Sequence, residues 1–479
     1  MAAPVRVALF GNSHAEAVQL PALACIGGNE VIGIAGYDAG KAAASAKRWG
    51  IKCSTSNWRE LLELDPDLVI ITTPVDLHYE MVRGALDTSA AVLCEKPFTL
   101  EVSQAEELTE LAQGRLALIN YQLRWNPYRR KMRSLCQAGF VGKLLHVRAD
   151  LVLDTPGFAT RPYSWWSQAP RGGGVLGATG THVIDNIQWM FGPIKDVSAR
   201  LETFVKRRED ARGVEREVTS DDFAELSLRL ENGAHVHFTV SLALQGVSRW
   251  LFELAGSEGS LCLDHEQHLV GAKHGREMLP IESEVAWLPP EYYGIQGRGP
   301  FAALEAPFLA SVVEAVAGGQ TQLNEAATFA AGLTNVRILD AARRASLTGG
   351  SWVSCRWIAY PPANPSRRGR NRVIEGKKVI IIRLATRISR NGMSRGTTSS
   401  IGVRPIPQAT NKQIPTGGEI IPMPTLAATR IPKWIGSIPN CSATGTRIGI
   451  RMMIGGSASI NIPRTRNTMW TNRMNTTQL

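Results

Sequence analysis

The segment Val5–Phe10 reads VRVALF and is followed at once by the segment 11–16, GNSHAE. A short apolar run that is rich in Val is typical of a strand buried on both faces of a parallel sheet. A helical pattern covers residues 14–25, close behind the glycine. The chain therefore begins with a strand, a glycine-containing turn and a helix, which is the first half of a βαβ unit.

The same alternation continues to about residue 123. Strands that alternate with helices of about 10–15 residues indicate right-handed crossovers and a parallel sheet. We therefore predict a doubly wound α/β domain over residues 1–123. Its further strands are predicted at 31–35, 68–72, 91–94 and 116–120, and its further helices at 39–49, 77–86 and 101–112.

After residue 124 the pattern changes to strands that follow one another with short turns. The tripeptide ENG at 231–233 is a hairpin signal between two of them. Such a succession favours a largely antiparallel sheet with helices on one face, so we predict an α+β domain over residues 124–359. Its strands are predicted at 144–153, 197–204, 223–230, 234–242 and 250–255, and its helices at 125–137, 181–190, 301–317 and 324–346.

The positive charge of the chain is concentrated in its C-terminal tail. The 479 residues include 53 Lys and Arg and 42 Asp and Glu, a formal charge of +11. Residues 364–479 hold 19 of the basic but only two of the acidic residues, a charge of +17, which leaves −6 for residues 1–363. We predict that the segment 360–479 is a disordered basic tail, or a translated segment that selection never shaped. Residues 361–479 contain only two aromatic residues, Trp434 and Trp470, and no recognition motif, so nucleic-acid binding is not expected.

The seven cysteines are scattered and show no CxxC spacing, so we expect a reducing compartment and no zinc site. His235 and His237 alternate on one strand face but lack a third ligand, and we interpret them as surface residues of the sheet. No apolar run approaches the roughly 20 residues that a membrane helix needs. We therefore expect a cytoplasmic protein with no metal and no membrane partner.

The turn after the first strand departs from the dinucleotide-binding pattern GxGxxG. Gly11 supplies the first glycine, whereas Ser13 and Glu16 stand at the second and third positions. Ser13 is small enough for a pyrophosphate to approach, but Glu16 adds bulk and negative charge. The acidic residue expected for the ribose 2′-OH is best matched by Asp38, about two residues late. Alone, the motif is also compatible with a plain strand-to-helix turn, and it leaves NAD versus NADP open.

Five later segments carry a more specific pattern. They are TTPVDLH at 72–78, CEKP at 94–97, YQLRWNP at 121–127, GFVGK at 139–143, and GGG at 172–174 with GTHVID at 180–185. In order and spacing they resemble the corresponding segments of the glucose–fructose oxidoreductase/inositol dehydrogenase/rhizopine catabolism (Gfo/Idh/MocA) family. The resemblance covers about residues 4–357 and ends where the basic tail begins.

The resemblance implies an N-terminal Rossmann domain, a second domain with an open, mainly antiparallel sheet, and NAD- or NADP-dependent oxidation or reduction of sugars, polyols and related compounds. It also implies a homodimer or homotetramer that pairs through the exposed sheet face. The cofactor site would be formed by the glycine loop, the TP…H loop and the EKP loop. Its predicted residues are Gly11, Asn12, Ser13, His14, Asp38, Thr73, Pro74, His78, Glu95 and Lys96.

Lys96 and His182 are the predicted catalytic residues. The resemblance places Lys96 between the nicotinamide and the substrate, at the carboxyl end of a strand, where ligands of parallel sheets bind. His182 is the predicted general acid or base, because its unperturbed pKa lies near neutrality. The family pattern has an Asp four residues before this histidine, where this chain has Ala178. This difference leaves three alternatives, which are slower proton transfer, a different substrate, or no redox chemistry.

The predicted substrate-binding residues combine aromatic rings with guanidinium groups, which suit a sugar ring through CH–π contact and forked hydrogen bonding. The two adjacent Trp residues are equally compatible with packing or a subunit interface. We predict an NAD(P)-dependent oxidoreductase acting on the CH–OH group of a sugar, polyol or related compound. The alternative is a non-catalytic dinucleotide- or sugar-sensing regulator on the same fold. The predicted substrate-binding residues are Arg124, Asn126, Arg161, Tyr163, Trp165, Trp166 and Asp185.

Overall fold

The protein is described here from a computed structural model. The structure describes residues 3–155, 157–246, 248–265, 268–285 and 300–356. All of them belong to one structural unit, residues 1–363. The predicted tail 360–479 lies outside the described residues.

The N-terminal part alternates strands and helices as predicted. Its six strands are parallel, in the order β3-β2-β1-β4-β5-β6. This is the doubly wound order in which the winding reverses between β1 and β4, so the predicted Rossmann domain is confirmed. The strands are β1 (Val5–Phe10), β2 (Asn29–Ala35), β3 (Cys53–Thr55), β4 (Leu68–Ile71), β5 (Ala91–Cys94) and β6 (Ala117–Ile119). The helices are α1 (Leu20–Cys25), α2 (Ala39–Trp49), α3 (Arg59–Leu62), α4 (His78–Leu86) and α5 (Val102–Leu111).

The central strands read as continuous apolar runs because both of their faces are buried. Successive side chains of a strand point to opposite faces. In β1, Val7 and Leu9 belong to the core on one side of the sheet, and Ala8 and Phe10 to the core on the other side. The edge strand β3 was not predicted, because its three residues are half-buried or exposed and form no apolar run.

The second sheet has nine strands in the order β16-β15-β14-β13-β7-β12-β11-β8-β18. All of its pairs are antiparallel except β7 with β12, so the mainly antiparallel sheet is confirmed. A separate hairpin is formed by β9 and β10. The strands are β7 (Leu144–Val152), β8 (Ile194–Glu202), β9 (Arg207–Glu209), β10 (Glu215–Glu217), β11 (Phe223–Leu230), β12 (His235–Ser241), β13 (Arg249–Gly256), β14 (Gly259–Leu263), β15 (Leu269–Lys273), β16 (Leu279–Pro280) and β18 (Val353–Ser354), with helices α6 (Pro127–Gln137) and α7 (Thr181–Phe191).

One face of the second sheet carries its core, and the other is more open. In β11, Leu226 and Leu228 are fully buried, whereas Glu225 and Ser227 are half-buried and Arg229 is exposed. This alternation is the pattern of an antiparallel sheet with one covered face. The open face is the one through which the sequence predicts pairing of subunits.

The chain returns to the first sheet after the second one is complete. Helix α8 (Pro300–Ala317) packs against α1 and buries Phe308 and Leu309 in the same core as β1. Full burial of each such side chain contributes roughly 1.5–3 kcal/mol to the free energy of unfolding. Strand β17 (Ala327–Thr328) pairs antiparallel with β6, and helix α9 (Phe329–Leu347) packs against both α5 and β8. The sequence analysis placed both helices in the second domain, because an apolar helix does not reveal which sheet it covers. It did not predict β17, whose residues fall in the predicted helix 324–346.

Candidate active site

The turn after β1 packs closely against the residue that follows β4. Gly11 has a φ of 105°, which favours glycine, and a Cβ there would lie 2.6 Å from Thr72 Oγ1. The Thr72 hydroxyl donates a hydrogen bond to the carbonyl oxygen of Gly11 at 3.1 Å. This contact lies at the carboxyl ends of β1 and β4, where doubly wound sheets bind their ligands.

Glu16 stands at the third position of the glycine pattern. Its Oε1 lies 2.9 Å from Nη1 of Arg48 on α2. The segment Ala15–Gln19 forms a π-helical turn that leads into α1. The ion pair therefore offsets the negative charge of Glu16, which the sequence analysis identified as unfavourable for a pyrophosphate at this turn.

The carboxyl end of β2 has no side chain directly after the strand. The strand ends at Ala35, and a Cβ on Gly36 would lie 2.7 Å from Asn12 Oδ1. Tyr37 is fully exposed. Asp38 is the N-cap of α2, and its Oδ1 accepts a hydrogen bond from the backbone N–H of Lys41 at 3.0 Å. One oxygen of the predicted ribose ligand is thus used by the helix cap, and its contact with a ribose remains a prediction.

His78 joins two of the predicted cofactor loops. Its Nε2 lies 2.8 Å from the carbonyl oxygen of Thr73, and its Nδ1 lies 3.0 Å from that of Pro97. The side chain is buried, and burial lowers its pKa. The imidazole therefore holds the TP…H loop against the EKP loop, in which the Lys96–Pro97 peptide bond is cis.

The structure brings Lys96 and His182 to one place. Lys96 follows β5, and its Nζ donates a hydrogen bond to the carbonyl oxygen of Ala178 at 3.0 Å. Ala178 lies in the π-helical turn Leu176–Gly180, which leads into α7 with His182 as its second residue. Burial, together with the charge of Lys96, holds the pKa of His182 well below its ordinary value.

Tyr121 fixes the surroundings of this histidine. Its ring lies edge-on to that of His182, with the centroids 5.8 Å apart and the planes at 81°. Its hydroxyl lies 2.7 Å from Thr181 Oγ1. Tyr121, Thr181 and His182 are all buried, so the first turn of α7 is held by packing and by this hydrogen bond.

The Gly run at 172–174 allows the second domain to approach the TP…H loop. Gly172 has a φ of 77°, and a side chain there would overlap Val75. Beside it, Nε of Arg171 donates a hydrogen bond to Oδ2 of Asp76 at 2.7 Å. The run is therefore needed for close packing between the two parts of the candidate site.

Three predicted substrate residues have internal partners. The guanidinium group of Arg124 donates to both oxygens of Asp185, from Nε at 2.8 Å and from Nη2 at 2.6 Å. Asn126 is fully buried, and its Oδ1 accepts hydrogen bonds from the first backbone N–H groups of α6. These contacts hold α6 and α7 in place, and binding of a substrate by the three residues remains a prediction.

The loop with the other four predicted substrate residues adjoins the Gly run. Arg161 is exposed, and Tyr163, Trp165 and Trp166 are half-buried. The rings of Trp165 and Trp166 have their centroids 6.1 Å apart, and the backbone of both residues lies against Gly173. The side chains are accessible beside the site, and their contact with a substrate remains a prediction.

Residues 5–121 match the oxidoreductase family with an NAD-binding Rossmann fold, and residues 129–262 match the GFO/IDH/MocA C-terminal domain. The chain belongs to the GFO/IDH/MocA family of oxidoreductases. This membership confirms the predicted family and its NAD-binding domain.

Relatives of this GFO/IDH/MocA protein include enzymes and proteins named for oxidoreductase domains. An oxidoreductase of Synechocystis sp. is 34% identical over 264 residues, which are 54% of this chain and 71% of that protein. Levoglucosan dehydrogenase of Pseudarthrobacter phenanthrenivorans is 28% identical over 47% of this chain and 63% of the enzyme. The mouse glucose-fructose oxidoreductase domain-containing protein 1 is 28% identical over 53% of this chain and 65% of its own length. The chain thus spans somewhat less than two thirds of the last two.

Solved structures have the same two-domain fold. Levoglucosan dehydrogenase in complex with NADH and L-sorbose gives a TM-score of 0.66 at 24% identity, covering 74% of this chain and 100% of the enzyme. An oxidoreductase domain protein from Kribbella flavida gives a TM-score of 0.66 at 28% identity, with the same coverage.

In the part of this GFO/IDH/MocA chain that the structure describes, no helix is long and apolar enough to cross a membrane. The described residues also contain no group of three or more His, Cys, Asp or Glu side chains that could hold a metal ion.

Several residues at the site were missed from the sequence. Thr72 and Tyr121 stand inside the quoted motifs, and that position was the signal that could have revealed them. Asn120 and Glu305 have no such signal. The fold alone brings them together, with Nδ2 of Asn120 2.7 Å from Oε1 of Glu95 and 2.9 Å from Oε1 of Glu305.

Proposed function

We propose that this chain is an NAD- or NADP-dependent oxidoreductase that transfers hydride between a nicotinamide and the CH–OH group of a sugar, polyol or related compound. The observation that carries the proposal is the 3.0 Å hydrogen bond from Lys96 Nζ to the carbonyl of Ala178, which joins the EKP loop to the segment leading into His182. A cation and a buried imidazole thereby come together at the carboxyl ends of the first sheet. Family membership supports the redox class. Similarity to a levoglucosan dehydrogenase, solved with NADH and L-sorbose, supports the substrate class.

The turn after β1 fits the pyrophosphate of a dinucleotide. Gly11 puts no side chain between the loop and Thr72, and Glu16 is paired with Arg48. We assign the pyrophosphate to the backbone of residues 11–14, and the nicotinamide end to the loop that carries Lys96. When bound, the nicotinamide would supply the hydride acceptor or donor.

His182 would hold and move the proton. Because burial and Lys96 depress its pKa, its imidazole is neutral at pH 7 and can accept the proton of a substrate hydroxyl during oxidation. The Lys96 ammonium would stabilise the hydroxyl oxygen as negative charge develops on it. The edge of Tyr121 limits rotation of the imidazole and so orients it for proton transfer.

Ala178 sets this chain apart from the pattern that the resemblance implies. The residue offers a methyl group in place of a carboxylate, and its carbonyl accepts the hydrogen bond from Lys96. No anion at position 178 raises the pKa of His182 or competes for the ammonium group. Position 178 therefore supplies no carboxylate to orient His182 for proton transfer.

We further propose that the chain forms a homodimer or homotetramer through the open face of the second sheet. The half-buried and exposed polar side chains of β11 give this face hydrogen-bonding groups for a partner copy. Light scattering on the full chain measures its mass directly. A monomer at all concentrations would contradict this part of the proposal.

The function is tested with the full chain and a panel of sugars and polyols, with NAD and with NADP, by absorbance at 340 nm. Cofactor binding is measured separately by calorimetry. We expect binding of at least one cofactor and turnover with at least one compound. The second candidate, a non-catalytic sensor, is favoured by the absence of a carboxylate at Ala178, and it predicts binding without turnover. Failure to bind either cofactor would contradict both functions.

A further inference from the structure

Four buried polar side chains meet beneath the EKP loop. They come from the π-helical turn, the ends of β5 and β6, and α8. Their exposed fractions are 0% for Gln19, 5% for Glu95, 1% for Asn120 and 0% for Glu305. Two of the four are carboxyl groups, and one of these, Glu95, is a predicted cofactor-binding residue.

Two amide groups bridge the two carboxyl groups. Nδ2 of Asn120 lies 2.7 Å from Oε1 of Glu95 and 2.9 Å from Oε1 of Glu305. Nε2 of Gln19 lies 2.9 Å and 3.5 Å from the same two oxygens. The two carboxyl groups therefore share the same donors and lie next to each other in a site of low dielectric constant, where two negative charges are strongly disfavoured.

The surroundings decide which of the two keeps a proton. Nε2 of His14 lies 3.3 Å from Oε1 of Glu95, and the backbone N–H of Lys96 donates to Oε2 of Glu95 at 3.3 Å. Although burial acts to raise it, the pKa of Glu95 is lowered to about 2 by His14 and then Lys96. Burial and the charge of Glu95 raise the pKa of Glu305 to about 8, against weaker opposing effects of the hydrogen bonds from Asn120 and Gln19 and of the charge of Lys96.

The other charged groups on the elements packed against α8 are engaged elsewhere. Glu16 pairs with Arg48, and Arg124 pairs with Asp185. Arg6 donates a hydrogen bond to the backbone before β4. The balance between the two carboxyl groups is therefore set within the cluster and by His14, Lys96 and, more weakly, His182.

The unmatched acceptors of the cluster also favour a neutral Glu305. Among the described residues, Oε2 of Glu305, Oε1 of Gln19 and Oδ1 of Asn120 are buried acceptors without a hydrogen-bond partner. A buried carboxylate oxygen without a donor is costly. A proton on Glu305 removes its charge and turns one of these unmatched acceptors into a donor.

We propose that Glu305 is a positioning residue that stays protonated near neutral pH and thereby keeps the amides of Gln19 and Asn120 on an ionised Glu95. In this arrangement Glu95 presents a single negative charge to His14 and holds the backbone N–H of Lys96. Ionisation of Glu305 places a second negative charge in the same buried cluster. The two charges repel each other, and α8 loses its attachment to the EKP loop.

The sign of the pH dependence follows from the raised pKa. Below about pH 4.5 Glu305 is protonated in both the folded and the unfolded chain, and its contribution to the free energy of unfolding is fully present. Between this value and about pH 8 it ionises only in the unfolded chain, so its contribution to stability is progressively lost. The unfolding constant of the wild type should rise about tenfold per pH unit in this range, relative to a chain that lacks this titration.

Glu305→Gln keeps the size and hydrogen-bonding groups of the side chain but cannot ionise. We expect the urea unfolding midpoint of the wild type to fall relative to that of Glu305→Gln from about pH 4.5 to about pH 8 and to change no further relative to it above pH 8. Glu314→Gln is the matched control, because this glutamate is exposed on the same helix and should leave the wild-type fall unchanged. Equal pH dependence in the wild type and Glu305→Gln would overturn the proposal.

Infrared spectroscopy of the folded wild type gives a second measurement that does not depend on the variant's stability. We expect a protonated carboxyl band at pH 7 that disappears as the pH passes about 8. Titration of all carboxyl bands below pH 6 would also overturn the proposal. The effect on cofactor affinity rests on the proposed function: the Kd for NAD(H) should rise above pH 8 in the wild type but not in Glu305→Gln. If neither cofactor binds while the stability and infrared results hold, the proposed function fails and the inference about Glu305 stands.

Discussion

The ion pair between Arg124 and Asp185 gives a sharp test of structural against ligand-binding roles. The sequence assigns both residues to a substrate, whereas the structure joins them by two hydrogen bonds of 2.8 and 2.6 Å. Their side chains are 9% and 1% exposed. The perturbation is Asp185→Asn, which keeps the shape of the side chain but removes its charge.

The expected cost follows from the burial of the pair. Each hydrogen bond to a charged group contributes roughly 1.5–3 kcal/mol. Removing one partner of a buried pair leaves an uncompensated charge and costs about 3–5 kcal/mol. The exposed pair Arg344–Asp340, with side chains 52% and 39% exposed, is the matched control. There Asp340→Asn should cost less than about 1 kcal/mol.

The assay is urea unfolding of the full chain at pH 7, followed by substrate and cofactor titrations of the folded variants. A double variant in which apolar residues replace both Arg124 and Asp185 should recover much of the loss, since a well-packed apolar pair is often as stable as a buried ion pair. A cost below about 1 kcal/mol for Asp185→Asn, with weaker substrate binding, would refute the structural interpretation and support the role that the sequence predicts.

Three further predictions concern the chemistry of the site. Lys96→Ala and His182→Ala should each lower kcat by about 10²-fold or more, because each removes a group that acts in the transition state. The rate is measured from the absorbance at 340 nm. Since the pKa of His182 is lowered, the acid limb of the kcat/KM profile should lie below pH 6.5, and Ala178→Asp should move it to higher pH, because an anion favours the imidazolium. Gly36→Asp, which requires Asn12 to move, should shift the ratio of the Kd values for NAD and NADP towards NAD by about tenfold, or about 1.4 kcal/mol, because a carboxylate repels the 2′-phosphate.

Controls for these variants come from exposed positions. Lys52→Ala removes a lysine that is 82% exposed, and His268→Ala removes a histidine that is 62% exposed. Both should keep the wild-type kcat. Near-wild-type rates in Lys96→Ala or His182→Ala would contradict their catalytic roles. An acid limb that Ala178→Asp leaves unchanged would show that His182 is not the titrating group.

Most of the Rossmann domain could be predicted from local sequence. The runs at β1, β2, β4, β5 and β6 are long enough to show both-sided burial, and α2 was predicted with its observed ends. The edge strand Cys53–Thr55 and the two-residue strand Ala327–Thr328 could not be predicted. Elements this short carry no hydrophobic period, and they form only because a neighbouring strand offers unpaired backbone groups.

The residues of the candidate site also differ in how far local sequence could predict them. Lys96 and His182 were predicted because each stands in a motif at the end of a strand or the start of a helix, and both positions are local properties. The pairing of Arg124 with Asp185 was not found, because the two lie 61 residues apart and each alone has the charge expected of a ligand contact.

The sequence by itself determined the alternation of strands and helices in the Rossmann domain, the family, and the residue types at the ends of the strands, because all of these depend on neighbours along the chain. The tertiary structure alone decided which polar groups meet in the interior. Helix α8 brings Glu305 next to Glu95, over a separation of 210 residues, and burial then forces the two carboxyl groups to share one charge. No local pattern encodes that contact, since its energy arises only when the first sheet and the helix have excluded water.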